Sequence, residues 1–291
     1  MSESCSGSCG SCGGSCSAAA KADFENIKRW IFVLSGKGGV GKSTVSAGLA
    51  ASLAAMGRKV GLLDVDFHGP SQPTLFGVSH LRMSGSDDEK LLPLELDCGV
   101  KLVSIGLLVD DEDQAIIWRG PAKMGVIKQL LEEVSWGELD DLILDFPPGT
   151  GDEILSACQL IPGRKIAVVV TTPQEVSLAD CRKCLDFCAK LNVPVAGIVE
   201  NMSGFVCPDC GKKHDLFAAG GGARLAESHH LPLLARLPID PEFMLSCDRG
   251  DLASGVALSV VGKELRKVAE ALPEPDAGNA CSCSCSGCSG R

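Results

Sequence analysis

Short runs of hydrophobic residues alternate along this chain with longer segments of helical periodicity. The runs predict buried strands at 30–34, 59–64, 100–108, 140–145, 165–171, 195–200 and 233–237. Apolar residues spaced three and four apart predict helices at 45–56, 122–134, 176–191 and 256–272, and residues 72–100 predict a long irregular segment. Because strands that alternate with helices build parallel sheets, the pattern predicts an α/β fold with a doubly wound, mostly parallel sheet and helices on both faces.

A glycine-rich segment separates the first predicted strand from the first predicted helix. It fits the phosphate-loop pattern G-x-x-x-x-G-K-S/T and consists of Gly36, Lys37, Gly38, Gly39, Val40, Gly41, Lys42, Ser43 and Thr44. Glycine lets the backbone surround a phosphate chain with N–H groups, and the helix start adds the positive end of its dipole. We therefore predict a nucleotide site in which Lys42 reaches the terminal phosphates and Ser43 binds Mg²⁺. A fortuitous glycine-rich turn is the alternative, which the flanking strand and helix disfavour.

Carboxylates follow two of the strands that we expect beside this loop. Asp64 and Asp66 come at the end of the strand at 59–64, and Asp145 ends the strand at 140–145 in the Walker B pattern. Since the carboxyl ends of parallel strands face the ligand crevice, these side chains are candidates for the nucleotide site. We expect Asp145 to contact Mg²⁺ directly or through water. Asp66 has two interpretations, a nucleotide-site residue or an ordinary turn aspartate.

Lys37, directly after the first glycine, is a departure from an ordinary phosphate loop. The segment G-K-G-G-V-G-K-S-T resembles the deviant loop of the MinD, ParA and nitrogenase-iron-protein class of NTPases. The resemblance implies that ATP joins a homodimer, with Lys37 reaching the partner's nucleotide, and that Asp66 orients the attacking water. It also implies that Asn201 recognises adenine and that the segment with Pro238 and Asp240 passes near the base. Lys37 could instead be an ordinary solvated lysine, and Asn201 could cap a turn.

A second signature narrows the resemblance. The segment D-F-P-P-G-T-G-D, at 145–152, is similar to the D-x-P-P-G-T-G-D signature of the Mrp/NBP35/ApbC family of iron–sulfur cluster carrier ATPases. Supporting segments lie at 118–121, 171–174 and 200–203, within a resemblance that extends from about residue 31 to residue 272. It implies an ATP hydrolase in which Lys37, Lys42 and Asp66 are catalytic. It further implies that a labile [4Fe–4S] cluster is delivered to apo-proteins.

Cys207 and Cys210 form a C-x-x-C motif whose thiolates can converge on one metal. One chain supplies two ligands here, whereas a zinc or [4Fe–4S] site takes four. The family resemblance implies that the pair meets its symmetry mate, so that one [4Fe–4S] cluster bridges a homodimer. The alternatives are a zinc ribbon with further ligands such as His214, a zinc ion that bridges the dimer, and a thioredoxin-like dithiol.

Composition limits the remaining classes of function. The 291 residues carry a formal net charge of −10 and include 16 cysteines. This acidity argues against a general binder of nucleic acid or anionic membrane, and no apolar run approaches the roughly 18–20 residues that span a bilayer. The first residues lack the basic and apolar regions of a secretory signal. We therefore expect a cytoplasmic protein whose cysteines serve metal binding or redox chemistry.

Two cysteine-rich tails flank the predicted domain. We assign 1–22 and 273–291 to flexible tails and 23–272 to the NTPase domain, with a C-x-x-C insertion near 203–222. The tail cysteines are Cys5, Cys9, Cys12, Cys16, Cys281, Cys283, Cys285 and Cys288. Their spacing could hold an additional cluster or Zn²⁺, or the tails could be metal-free, and neither tail has the ferredoxin-like spacing of the family's N-terminal motif.

Four other cysteines of the predicted domain have less defined roles. Cys181, Cys184 and Cys188 share one face of the helix at 176–191. We favour small buried hydrophobic side chains over a thiol relay or a metal-binding face, since free cysteine is readily buried. Cys247 is expected in a loop beyond the last strand, without a partner.

Two other functions share this kind of nucleotide site. A MinD- or ParA-like positioning ATPase needs a membrane or DNA track, which the acidic charge and the absence of a basic amphipathic C-terminal helix disfavour. An electron-transfer ATPase similar to the nitrogenase iron protein also shares a cluster across a dimer, but its cluster cysteines lie far apart in sequence. We therefore predict a homodimeric iron–sulfur carrier that binds apo-protein clients and neither nucleic acid nor membrane.

Overall fold

The computed structural model describes residues 23–67, 69–85, 90–108, 120–207, 210–217 and 219–275. The strands are β1 Ile27–Ser35, β2 Val60–Asp64, β3 Leu94–Glu95, β4 Val100–Ser104, β5 Leu139–Asp145, β6 Lys165–Thr171, β7 Val195–Glu200, β8 Phe205–Val206, β9 Lys213–His214 and β10 Leu233–Arg236. The helices are α1 Lys42–Ala55, α2 Gln72–Leu75, α3 Gly120–Glu132, α4 Asp152–Leu160, α5 Glu175–Lys190, α6 Gly221–Ser228, α7 Pro241–Asp248, α8 Leu252–Leu258 and α9 Val260–Ala271.

Eight of the described strands form one sheet in the order β10–β7–β6–β1–β5–β2–β4–β3. All neighbouring pairs are parallel except β3 and β4, which are antiparallel. The antiparallel pair β8 and β9 stands apart as a small second sheet. The carboxyl ends of β1, β2, β5 and β7 therefore lie along one edge, where the phosphate loop begins.

β1 lies inside the sheet between two hydrophobic cores. Trp30, Phe32 and Leu34 pack into the core beneath α3, α4 and α5, whereas Ile31 and Val33 pack into the core beneath α1, α8 and α9. A strand with both faces covered reads as a continuous hydrophobic run, which is what the sequence shows. The predicted α/β fold, doubly wound around a mostly parallel sheet, is confirmed.

The hydrophobic run at 100–108 is longer than the strand it contains. β4 ends at Ser104, whose hydroxyl accepts a hydrogen bond from Gly106 N and opens a 3₁₀ turn over Ile105–Leu107. The hydrophobic run overestimates the length of β4, because Ile105 and Leu107 are apolar and buried although they lie in the 3₁₀ turn. The segment predicted to be irregular at 72–100 also contains the short elements α2 and β3.

The single helix predicted at 256–272 is wrong, because two helices occupy this region. Ser259 separates α8 from α9 with an extended backbone, at φ −84° and ψ 167°, and its side chain accepts a hydrogen bond from Gly262 N at the start of α9. Both helices pack against α1 and bury Val256, Val261 and Leu265. The apolar periodicity therefore continues across the break and hides it.

Both ends of the described chain lie at the amino end of the sheet, opposite the phosphate loop. A 3₁₀ turn at Asp23–Asn26 leads directly into β1, and the Arg29 guanidinium in β1 donates to the carbonyl of Pro273. Arg164 donates to the carbonyl of Glu274 at 2.9 Å. The tail cysteines, together with the segment 118–119 quoted above, lie outside the described residues. No helix in the described ranges has the length and apolar composition required to cross a bilayer.

Candidate functional site

The phosphate loop connects β1 to α1 through glycines that the backbone geometry requires. Gly39 and Gly41 have φ values of 76° and 84°, in the region that favours glycine, and Gly41 is the N-cap of α1. At Gly36 a β-carbon would collide with the backbone of Asp180 and Cys181 in α5. The loop can therefore lie close to α5 while its N–H groups remain available at the start of α1.

Asp145 is the centre of a buried network beneath the loop. Lys42 Nζ lies 2.5 Å from Asp145 Oδ1, and the Ser46 hydroxyl donates to the same oxygen at 2.9 Å. The side-chain amide of Gln72 donates to Asp145 Oδ2 at 2.8 Å and to the carbonyl oxygen of Ser43 at 3.0 Å. Because Lys42 and Asp145 are both buried, each charge is neutralised by the other inside the protein.

The same network fits a magnesium ion. Mg²⁺ prefers oxygen ligands, and the side chains of Ser43 and Asp145 supply them beside Lys42. The side-chain oxygen of Gln72 is buried and has no hydrogen-bond partner among the described residues. A buried oxygen without a donor costs free energy, and a cation with its water shell would satisfy it. Gln72 is thus a candidate residue of this site, and no motif in the sequence marks it.

Asp64 is a second buried carboxylate at this end of the sheet. It is the register partner of Asp145 across β2 and β5, and the Ser104 hydroxyl donates to it at 3.1 Å. The backbone N–H groups of Asp66 and Gln72 also donate to it. Burial, reinforced by the charge of Asp145, raises the pKa of Asp64 to about 8 in spite of these hydrogen bonds.

An Asp64→Asn substitution is expected to weaken the pH dependence of stability. Between the ordinary pKa of 3.8 and about 8, the folded protein keeps a proton on Asp64 that the unfolded chain releases. The free energy of unfolding therefore falls as pH rises through this range, by at most about 1.4 kcal/mol per pH unit for one group. Urea unfolding without nucleotide or Mg²⁺, between about pH 6 and about pH 8, measures this slope. Asp248→Asn, on the exposed face of α7, is the control, and equal slopes for Asp64→Asn and the wild-type protein would contradict the assigned protonation.

A cavity of about 290 Å³ lies beside the phosphate loop, and its walls include the residues predicted to lie near adenine. It is lined by Gly41 and Thr44 from the loop and by Asn201, Met202, Leu237, Pro238, Ile239, Asp240 and Phe243, among others. The Asn201 amide donates to the Val40 carbonyl at 2.9 Å, so this side chain touches the loop directly. An apolar lining with few polar groups is typical of small-molecule sites. The Asp240 carboxylate also caps α7, since it accepts hydrogen bonds from the N–H groups of Glu242 and Phe243.

Lys37 and Asp66 lie at the edge of this site. The Lys37 side chain is exposed, in contrast to the buried Lys42. Asp66 is half-buried and lies two residues beyond the end of β2, and its backbone N–H donates to Asp64 Oδ1 at 3.1 Å. Lys37 is therefore accessible to a second molecule, and Asp66 lies beside the buried carboxylates.

Cys207 and Cys210 lie at the end of a hairpin made by β8 and β9. We call residues 205–214 the cysteine hairpin. Gly211 N donates to the Cys207 carbonyl at 2.8 Å, and Cys207 N donates to the Lys212 carbonyl at 3.0 Å, which closes the turn. Cys207 is half-buried and Cys210 is exposed. A metal bound here would be accessible from outside the domain.

No group of three or more His, Cys, Asp or Glu side chains that could hold a metal occurs among the described residues. The described residues therefore do not form a zinc site that His214 completes. His214 lies in β9, where it pairs with Phe205 of β8. A metal held by Cys207 and Cys210 needs further ligands from elsewhere.

The remaining predicted cysteines are buried side chains. Cys181, Cys184 and Cys188 lie on the face of α5 that packs into the hydrophobic core. Their burial agrees with the prediction that they act as small hydrophobic side chains. Burial raises the pKa of the Cys181 thiol, and the hydrogen bond with Cys188 together with burial raises that of Cys184. The loop predicted for Cys247 is wrong: it lies in α7, and burial raises its pKa to about 11. The raised pKa values keep Cys181, Cys184 and Cys247 protonated, and protonated, buried thiols are poor metal ligands. The hydrogen bond with Cys184 lowers the pKa of the Cys188 thiol, which is nevertheless buried in the core.

Most of this chain is similar to a known protein family and to individual members of it. The family model described as ParA, NUBPL iron-transfer P-loop NTPase, matches residues 26–273. An iron-sulfur cluster carrier protein of Methanocaldococcus jannaschii is 47% identical over 234 residues, which cover 80% of this chain and 80% of that protein. The cytosolic Fe-S cluster assembly factor NUBP2 homolog of Culex quinquefasciatus is 49% identical over 225 residues, covering 75% and 86%.

Solved structures resemble the same region. A nucleotide-binding protein in complex with ADP from Archaeoglobus fulgidus is 40% identical with a TM-score of 0.70, over 79% of this chain and 89% of that one. The septum site-determining protein MinD of Pyrococcus horikoshii, complexed with Mg-ADP, is 24% identical with a TM-score of 0.61, over 83% and 94%. Because the identity to this MinD protein is only 24%, the similarity shows a shared fold alone.

Proposed function

Because this chain belongs to the family of ParA-type iron-transfer P-loop NTPases, we propose that it hydrolyses ATP and carries an iron–sulfur cluster to apo-proteins. The cargo is a labile [4Fe–4S] cluster held by Cys207 and Cys210 of two subunits. The observation that carries the proposal is the cysteine hairpin, whose two accessible thiols are half of the four ligands that such a cluster takes. Two-fold symmetry supplies the other half from a second copy. We place the protein in the cytoplasm, as the names of its assembly-factor relatives suggest.

ATP hydrolysis follows from the chemistry of the phosphate loop and the carboxylates around it. Lys42 neutralises phosphate charge, Lys37 acts across the dimer, and Asp66 orients the attacking water. Ser43 and Asp145 would hold Mg²⁺, which supplies positive charge for the phosphoryl oxygens when it is bound. Adenine would occupy the cavity between Asn201, Pro238 and Asp240.

A phosphate chain in the loop competes with Asp145 for Lys42. Since Lys42 and Asp145 neutralise each other at 2.5 Å, withdrawal of Lys42 leaves a buried carboxylate that needs another cation. A Mg²⁺ ion held by Ser43 and Asp145 would supply that positive charge, so nucleotide and metal would bind together. The loops that contact Asp145 and Gln72 can then take a different arrangement before and after hydrolysis.

A Lys37→Ala variant is expected to lose ATP-dependent dimerisation. The exposed Lys37 ammonium would approach the partner's phosphates, and a charge-assisted contact of this kind contributes about 2 kcal/mol, which the two-fold axis duplicates. Because two such contacts are lost, we expect the dimer dissociation constant with ATP to rise about 10³-fold. Analytical ultracentrifugation with ATP and without nucleotide measures this constant. Lys190→Ala, which removes an exposed lysine in the last turn of α5 before the amino end of β7, is the control. A Lys37→Ala dimer as tight as the wild-type dimer would remove this role.

The function is tested by anaerobic reconstitution of the full chain with iron and sulfide. Mössbauer spectroscopy should show a [4Fe–4S] cluster in a dimer, and the loaded protein should activate an apo-protein that needs such a cluster. Zinc in place of iron under anoxic conditions, or a strictly monomeric protein with every nucleotide, would contradict the proposal. Reduction of a partner without loss of the cluster would favour electron transfer, and co-sedimentation with liposomes or DNA would favour a positioning ATPase.

A further inference from the structure

One buried carboxylate, Glu200, joins the two ends of the segment that contains the cysteine hairpin. Glu200 ends β7, and its side chain is fully buried. The Ser203 hydroxyl donates to Glu200 Oε1 at 2.6 Å, and the Gly222 N–H donates to Oε2 at 2.5 Å. Ser203 precedes the hairpin, and Gly222 follows it in the first turn of α6. The carboxylate therefore fixes the distance between the two points from which the hairpin projects.

The contacts of Glu200 indicate that its carboxylate holds two backbone segments in position more than it neutralises the charge of Arg236. Its cationic neighbour Arg236 is half exposed, and the nearest approach of the pair is 3.7 Å. A β-carbon added at Gly222 would lie 2.9 Å from the Glu200 side chain, so α6 begins in direct contact with the carboxylate. Burying a carboxylate is costly. A neutral side chain would be more stable here if filling space were the whole requirement.

The base pocket is built on the same segment of chain. The Leu237 N–H donates to the Glu200 carbonyl, and the Ser203 N–H donates to the Leu237 carbonyl, both at 2.8 Å. The Ile239 N–H donates to the Gly204 carbonyl at 2.8 Å, next to the first residues of the hairpin. Leu237 and Ile239 line the pocket, as does Asn201 between Glu200 and Ser203. A displacement of this pocket wall is therefore a displacement of the base of the hairpin.

We propose that Glu200 is a positioning residue that transmits occupancy of the base pocket to the cysteine hairpin. The inference rests on the proposed function, because it concerns how nucleotide acts on the thiol pair. A base that pairs with the Asn201 amide withdraws it from the Val40 carbonyl. The wall of the pocket then shifts, and the carboxylate moves Ser203 and the start of α6 together. Nucleotide in this way favours one placement of the hairpin over another.

Amide hydrogen exchange of the full chain, with and without the Mg²⁺ complex of a non-hydrolysable ATP analogue, tests this coupling. In the wild-type protein the analogue should slow exchange both in the phosphate loop and in residues 203–222. In Glu200→Ala the loop should remain protected, whereas the effect of the analogue on residues 203–222 should shrink about tenfold, the scale of one hydrogen bond to a charged group. For each variant, the slowing of exchange by the analogue in residues 203–222 is divided by the slowing in the phosphate loop. A general loss of stability affects both regions and leaves this ratio unchanged.

Three further variants keep the test decisive. Glu200→Gln should retain the coupling, because its oxygen can accept from Gly222 N while its amide donates to the Ser203 hydroxyl. Ser203→Ala removes one of the two links without altering β7 and should reduce the coupling even if Glu200→Ala fails to fold. Arg236→Gln removes the half-exposed cation at 3.7 Å from the carboxylate, keeps both hydrogen bonds of Glu200 and should leave the coupling unchanged. Full coupling in Ser203→Ala, or a wild-type hairpin that ignores the analogue, overturns the role of Glu200.

Iron content, measured on the same preparations, separates this inference from the function on which it rests. A wild-type hairpin that responds to the analogue in a protein that never holds iron would overturn the carrier function and still support the role of Glu200. A protein that carries and transfers a cluster while its hairpin ignores the nucleotide would keep the carrier function and overturn the role of Glu200.

Discussion

Replacement of Cys207 and Cys210 with serine is expected to abolish the transferable [4Fe–4S] cluster. Each subunit would lose both of the thiolates that it offers at the hairpin, and serine does not replace thiolate as a ligand for iron. Loss of even an outer-shell partner lowers metal affinity by about 10–100-fold, so the loss of ligands should exceed about 100-fold. Mössbauer spectra after anaerobic reconstitution, together with activation of an apo-protein, measure the effect.

The matched control for the cysteine pair is Cys98→Ser. Cys98 is a half-buried thiol in the turn before β4, away from the hairpin, and its loss should leave both iron content and transfer unchanged. ATP turnover should survive in the double variant, because the phosphate loop is intact. Full transfer by the double variant would mean that the cluster is held elsewhere in the chain, and the hairpin would lose its assigned role.

An Asp66→Asn variant is expected to bind ATP normally and to hydrolyse it about 10²–10⁴-fold more slowly, the range for removal of a group that positions or deprotonates the nucleophile. Asp66 lies two residues beyond β2, and its backbone N–H donates to the buried carboxylate of Asp64 at 3.1 Å. Phosphate release measures turnover, and equilibrium binding of a labelled nucleotide measures affinity.

The comparison variant for Asp66 is Asp248→Asn, an exposed aspartate at the end of α7. It changes the net charge equally and should leave turnover unaltered. If Asp66→Asn kept the wild-type rate, the water-orienting role would have to be reassigned. If it lost turnover and nucleotide affinity together, the residue would be part of the binding site instead.

The central strands were predictable because their hydrophobic runs are unambiguous. Most residues of β1, β5 and β6 are buried, and each strand contains a continuous apolar run. β1 leads into the phosphate loop, β5 ends at Asp145 and β6 ends at Thr171. The phosphate loop was predictable because its glycines meet a local backbone requirement. Local patterns of this kind need no knowledge of the rest of the fold.

Features that depend on tertiary contacts were not predictable in the same way. The break at Ser259 is invisible in a periodicity that both flanking helices maintain, and α4, α6 and α7 are too short to stand out. Gln72 joins the hydrogen-bond network of Asp145 only because α2 packs against α1, and nothing in its neighbourhood along the sequence marks it. Glu200 was visible only as part of a family signature, since its partners lie three and 22 residues further along the chain.

The position of the chain ends has a practical consequence. Residues 23 and 275 lie near the amino ends of the strands, while the cysteine hairpin and the nucleotide site lie beyond the carboxyl ends. An affinity tag or a linker to a sensor surface, joined to the domain directly at residue 23 or residue 275, would therefore start from the side that faces away from both. A protein immobilised in this manner should still accept ATP and meet an incoming client, so its exchange of cargo could be followed on a chip.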